Sequence, residues 1–197
     1  MSSAPSRSSA DPLDEALTVA VGAVSARVAA VGAANPVVLI DGRSGAGKSS
    51  LARRLVSTWP GRGRVQLVAL DDLYPGWDGL ADGARYARET ILLPHAKGTI
   101  GVWQRWDWEA GERAEAHAVD PSLPLVVEGS GLLTAAAAPL ADVRVWLDAP
   151  DRSRKDRALH RDGDTYRPHW ERWAKQEDEH LVRDEPQTLA SLVLCLP

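Results

Sequence analysis

The stretch LIDGRSGAGKSSLARRL, residues 39–55, constrains the fold of this chain more than any other. Gly42, Gly47, Lys48 and Ser49 satisfy the spacing G-x-x-x-x-G-K-[ST], an apolar run precedes them, and SSLARRLVSTW follows with Leu51, Leu55 and Val56 on one side of a predicted helix. Glycines let the backbone bend until successive N–H groups converge on an anion, and the helix N-terminus adds partial positive charge there. A strand feeding such a loop is built for a phosphate chain. The cradle comprises Gly42, Ser44, Gly45, Ala46, Gly47, Lys48, Ser49 and Ser50. Lys48 is placed for the β- and γ-phosphates, and the Ser49 hydroxyl for Mg2+. The expected ligand is a nucleoside triphosphate, and the loop alone leaves the fate of its γ-phosphate open.

Four continuous apolar runs, VVLIDG (37–42), VQLVALDD (65–72), LPLVVEG (123–129) and VRVWLDAP (143–150), read as strands buried on both faces, with LASLVLCLP (189–197) as a candidate fifth. The first four each carry an acidic residue at the end of the run, and most of the gaps are long enough for a crossover helix. The pattern predicts a three-layer α/β P-loop NTPase fold with a parallel, roughly five-stranded sheet and helices on both faces. Ligands collect at the carboxyl ends of such strands, so Asp41, Asp71, Asp72, Glu128 and Asp148 are expected around one crevice.

Upstream, residues 12–34 are Ala- and Val-rich, with Leu13, Leu17, Val21, Val24 and Val28 at near-helical spacing, Asp11 as cap and Pro12 at the first position. Residues 1–11 read as a disordered tail and 12–197 as a single domain. Within that domain, residues 75–118 form a substrate-side insertion, its Gly-, Arg- and Asp-rich part to about Gly101 read as something other than sheet. Residues 151–167 form an arginine-rich lid.

A formal net charge of −4 offers no overall positive field for nucleic acid or an anionic membrane. No apolar run approaches the ~18 residues of a membrane span, and no apolar leader follows the first arginine. The single cysteine, Cys195, excludes an intramolecular disulfide, reads as a small buried apolar residue, and fits a reducing cytoplasm. The five histidines lack metal-ligand spacing and read as structural or surface groups, with His95 in LPHAKG the one placed where a loop could meet substrate.

A guanine-reading N-K-x-D segment and an L-S-G-G-Q-like signature are both absent. The segments LVALDDLYPGWDGL, LLPHAKGTIGVWQRWDWEAGE, LVVEGSGLL and VWLDAPDRSRKDRALHRDGD follow in that order. From about Val37 to Asp162 this succession resembles the uridine/cytidine kinase and phosphoribulokinase group of P-loop kinases, especially small bacterial uridine-kinase-like proteins. The resemblance implies ATP- and Mg2+-dependent transfer of a γ-phosphate to a hydroxyl of a nucleoside-like small molecule. Asp71 matches the carboxylate that accepts the acceptor's proton, with Asp72 as the alternative, and both also suit a turn-capping role. Glu128 matches the metal carboxylate beside Ser49. Arg157 and Arg161, with Arg154 on the same predicted helical face, match the lid that neutralises charge on the transferred group. On the acceptor side the resemblance points to Tyr74, Trp106 and Asp107, an aromatic face for a planar ring and a carboxylate for sugar hydroxyls.

The group's D-H-P element is missing, and PGWDGL stands in its place. The acceptor therefore stays open among a nucleoside, pantothenate, a sugar and a secondary metabolite. A regulatory ATP-binding protein without transferase activity is the alternative from another class. A homo-oligomer is compatible with the sequence.

Overall fold

The computed structural model describes residues 11–197. The expected tail lies outside the described residues except for Asp11, whose carboxylate accepts the Leu13 N–H at 3.0 Å and caps helix α1, Pro12–Val31. The helix stops at Gly32, where φ of 71° turns the chain out of the helical region, slightly before the expected end.

Seven strands follow in chain order: β1 (Val37–Asp41), β2 (Gln66–Ala69), β3 (Gly101–Asp107), β4 (Glu112–Val119), β5 (Leu125–Glu128), β6 (Val143–Asp148) and β7 (Leu192–Cys195). Five form one sheet in the order β2-β5-β1-β6-β7, every pair parallel, so the C-terminal run is the fifth strand. The fully buried β1 shows why the apolar run is continuous. Val37 and Leu39 face one apolar layer, while Val38 and Ile40 face the other, which α1 shares with α2 (Lys48–Ser57). Because β1 is central, the loop leaving its carboxyl end opens over the middle of the sheet.

The insertion is more ordered than its sequence predicts. Helix α3 (Leu80–Ala87), a π-helical turn over Arg88–Leu92 and the short α4 (Leu93–Ala96) form one helical segment. Then β3 and β4 pair as an antiparallel hairpin from Gly101↔Val119 to Asp107↔Glu112, with a register shift between Gln104 and Trp106. Only Val119 of β4 is buried, so the strand carries no alternating apolar stripe to announce it.

Helix α5 (Asp151–Tyr166) contains the arginines of the expected lid and is kinked at Gly163, which has φ of 55°. After a 3-10 turn, α6 (Trp170–Asp184) runs back beneath the sheet's carboxyl end, and the one-turn α7 (Pro186–Leu189) leads into β7. Among the described residues no strand pairs with the outer edge of β7, and Cys195 is exposed rather than buried as expected. Among the described residues no helix is long and apolar enough to cross a membrane.

Candidate functional site

The phosphate loop takes its shape from glycine. Gly45 has φ of 76°, and a Cβ there would stand 2.0 Å from the Arg154 carbonyl oxygen, so no other residue fits. Gly47, with φ of 103°, leads into α2, whose first turn has no side-chain cap. Its leading N–H groups are therefore free for an anion. Lys48 is buried to 8% exposure, and its ammonium donates to the Arg43 carbonyl at 3.1 Å and the Ser130 hydroxyl at 3.2 Å. Both are neutral acceptors that phosphate oxygens can replace.

A cleft of about 810 Å3 opens beside this loop. Ser44, Gly45, Gly47, Lys48, Ser49 and Ser50 line one end, whereas Gly42 and Ala46 of the same loop do not line the cleft. Asp71 and Glu128 line the cleft where β2 and β5 end, and Arg157 and Arg161 line it from α5. Asp72 lines it too, whereas Asp41 and Asp148 do not join the expected crevice. The Asp41 side chain is fully buried against backbone N–H groups, and Asp148 turns back to cap the Ala149 N–H at 2.8 Å.

Five aromatic residues complete the walls: Tyr74, Trp77, Trp108, Tyr166 and Trp173. Trp77 stacks within 4.3 Å of His169 and 5.4 Å of Tyr166, and its ring lies 4.8 Å from that of Trp108. The Trp108 indole N–H donates to the Asp71 carbonyl at 2.9 Å, tying the hairpin to the acidic turn. The other two aromatic-side candidates lie elsewhere. Trp106 and Asp107 are outside the cleft lining, because Trp106 has Arg113 5.5 Å over its ring and Asp107 accepts the Glu109 and Ala110 N–H groups of the hairpin turn. Tyr74 lines the cleft with its ring, but its buried hydroxyl donates to the Ser130 carbonyl at 2.7 Å. Arg154 is buried beneath the lid, donating to the Ser44 carbonyl and pairing with Asp151. His95 is bonded to the Leu123 carbonyl, away from the cleft.

Electrostatics support an anion and a cation in this cleft. Burial pushes the Glu128 carboxyl up and Asp71 adds to the rise, while Lys48 and the Ser49 hydroxyl oppose it. A bound cation would relieve that strain, and a hydroxyl beside one carboxylate suits Mg2+, which takes few protein ligands and keeps waters and phosphate oxygens. Asp72 is likewise raised by burial and by Asp71. Burial and neighbouring Arg154 lower the Arg157 pKa, and Arg157 Nη2 is buried with no hydrogen-bond partner among the described residues. That guanidinium has a donor to spare for phosphate. Arg161 is held by Asp162 through two bonds of 2.7–2.8 Å, which it must loosen to reach an incoming anion.

Two buried polar residues escape a sequence reading, Glu177 and His180 on α6. They share a face with Trp170 and Trp173, and a carboxylate and an imidazole on an otherwise apolar helix stripe are the signal that could have exposed them. His180 lies between Asp41 at 3.1 Å and Asp184 at 2.8 Å. Burial opposes its charge, but the two carboxylates outweigh burial and its pKa is raised above the usual 6.5. Its stabilisation is therefore complete below pH 6.5 and lost as pH climbs through the raised value. The thermal midpoint should fall across that window, and His180→Gln should flatten the fall in a series of melts from pH 6 to 9.

No protein-family model matches the sequence, and no curated protein matches it. Among solved structures, a Bacillus stearothermophilus protein described as a possible uridine kinase superposes with a TM-score of 0.68 and 21% identity, covering 90% of this chain and 98% of the other. The likeness is one of fold, the expected α/β P-loop NTPase fold on a five-stranded parallel sheet. A Silicibacter protein described as a fructose transport system kinase shares this fold with a TM-score of 0.61 and 17% identity, over 88% of this chain and 98% of its own.

Proposed function

We propose that this chain is a kinase that transfers the γ-phosphate of ATP to a hydroxyl of a small metabolite, with a nucleoside of the uridine or cytidine kind as acceptor. One observation carries the reading: a single cleft gathers the phosphate loop, the Asp71 and Glu128 carboxylates, two lid arginines and a wall of aromatic rings. Phosphoryl transfer asks for positioning and charge neutralisation, which these groups supply. Lys48 and the loop N–H groups hold the triphosphate. Mg2+ held by Ser49 and Glu128 would neutralise charge on the phosphates. Asp71 takes the acceptor's proton as its oxygen bonds to the γ-phosphorus, the bond to the bridging oxygen breaks, and ADP leaves. Arg157 and Arg161 face the transferred group.

The rings Trp77, Trp108 and Tyr166 favour an acceptor with a flat face. The placement of Trp106 and Asp107 outside the cleft favours a second reading within the same chemistry, in which the acceptor is pantothenate, a sugar or a secondary metabolite. Purified protein with ATP and Mg2+, offered nucleosides, vitamins and sugars, should yield a phosphorylated nucleoside by mass. A phosphorylated product from another acceptor class selects the second reading. ATP binding with no product from any acceptor would replace both with the regulatory role.

A further inference from the structure

Glu177 lies 133 positions from Ser44 in sequence, yet its carboxylate accepts a hydrogen bond from the phosphate loop. At 2% exposure, it accepts the Ser44 N–H at 2.6 Å and the Ser130 hydroxyl approaches at 3.1 Å, both on Oε1, while Arg43 Nε meets Oε2 at 3.3 Å. Ser130 in turn accepts from the Lys48 ammonium at 3.2 Å and lies 3.0 Å from the Gly42 carbonyl. On the other side of the same peptide segment, Arg154 donates to the Ser44 carbonyl at 3.1 Å and Arg157 to the Gly45 carbonyl at 2.8 Å. The loop's Ser44 is thus gripped at its N–H by α6 and at its C=O by α5.

We infer that Glu177 is a positioning residue for nucleotide binding, holding Ser44 and, through Ser130, Lys48 in the geometry that turns the loop's N–H groups onto a triphosphate. A buried N–H without an acceptor is costly, so loss of this carboxylate would drive Ser44 to a new partner and carry the loop with it. The inference rests on the phosphate-binding reading of the loop and adds to it a residue outside the motif.

Three substitutions separate this role from simple packing. Glu177→Ala removes the acceptor, and Glu177→Asp keeps the charge but shortens the reach. Glu177→Gln keeps a carbonyl oxygen at the same reach. Equilibrium binding of ATP with Mg2+ is measured for each beside its ligand-free thermal midpoint. ATP affinity should fall at least about tenfold in the Ala and Asp variants and stay within about threefold in the Gln variant. A packing role would lower the midpoint and leave the affinity of the folded variants untouched, and that result overturns the inference. Failure of both the Ala and Asp variants to fold also overturns it, by making Glu177 a folding residue. Wild-type protein that does not bind ATP overturns the reading underneath, whereas wild-type binding with unaffected variants removes Glu177 alone.

Discussion

Asparagine in place of Asp71 should lower kcat by about 10²- to 10⁴-fold while leaving ATP affinity nearly unchanged. The acidic turn is held by its backbone, through the Trp108 indole on the Asp71 carbonyl, and not by the carboxylate. The Asp71 side chain is exposed to the cleft and makes no hydrogen bond to the described residues, so the isosteric change leaves the fold intact and removes only the proton acceptor. Single-turnover rates with the acceptor found by the product screen, set beside ATP binding, separate chemistry from affinity. Unchanged kcat would strip Asp71 of its role, and a parallel loss in Asp72→Asn would move that role one residue along.

Replacing Lys48 by alanine should cut kcat/KM for ATP by about 10³-fold, the scale set by removing a charged donor from a developing anion. Arginine should not rescue it. The site exposes only 8% of Lys48, and its ammonium already fits between the Arg43 carbonyl and the Ser130 hydroxyl, where a planar guanidinium fork has no room. The check is kcat/KM for both variants against an unchanged far-ultraviolet circular dichroism spectrum. Activity retained in Lys48→Ala would mean that the loop binds something other than the reacting phosphates.

The parallel sheet was legible because each of its strands is an apolar run with a turn behind it, and the phosphate loop because its chemistry is packed into eight consecutive positions, Gly42 to Ser49. The shared helix of Arg157 and Arg161, which puts both on the cleft, was legible from their spacing. The acceptor wall was harder to read. Trp106 and Trp108 are two residues apart on a hairpin, and only the way its turn meets the acidic loop decides which indole faces the cleft. Trp77 gave no signal because its partners, Tyr166 and His169, arrive from a distant helix and the turn after it. Glu177 and His180 were hidden for the same reason, since their partners Ser44 and Asp41 lie 133 and 139 positions away. Local periodicity shows that a helix face is buried and is silent on what it is buried against.

The double grip on Ser44 has a thermodynamic consequence. The side chains that fix the loop belong to α5 and α6, and α5 also forms a wall of the cleft. Loop shape and wall position are therefore not independent variables. Any acceptor that binds better when α5 is drawn inward must raise the affinity for the triphosphate by the same factor that the triphosphate raises its own, because coupling between two binding events is reciprocal. In the proposed reaction the order of substrate addition would then be a matter of kinetics alone, and a ternary complex would draw added stability from the α5–α6 pair.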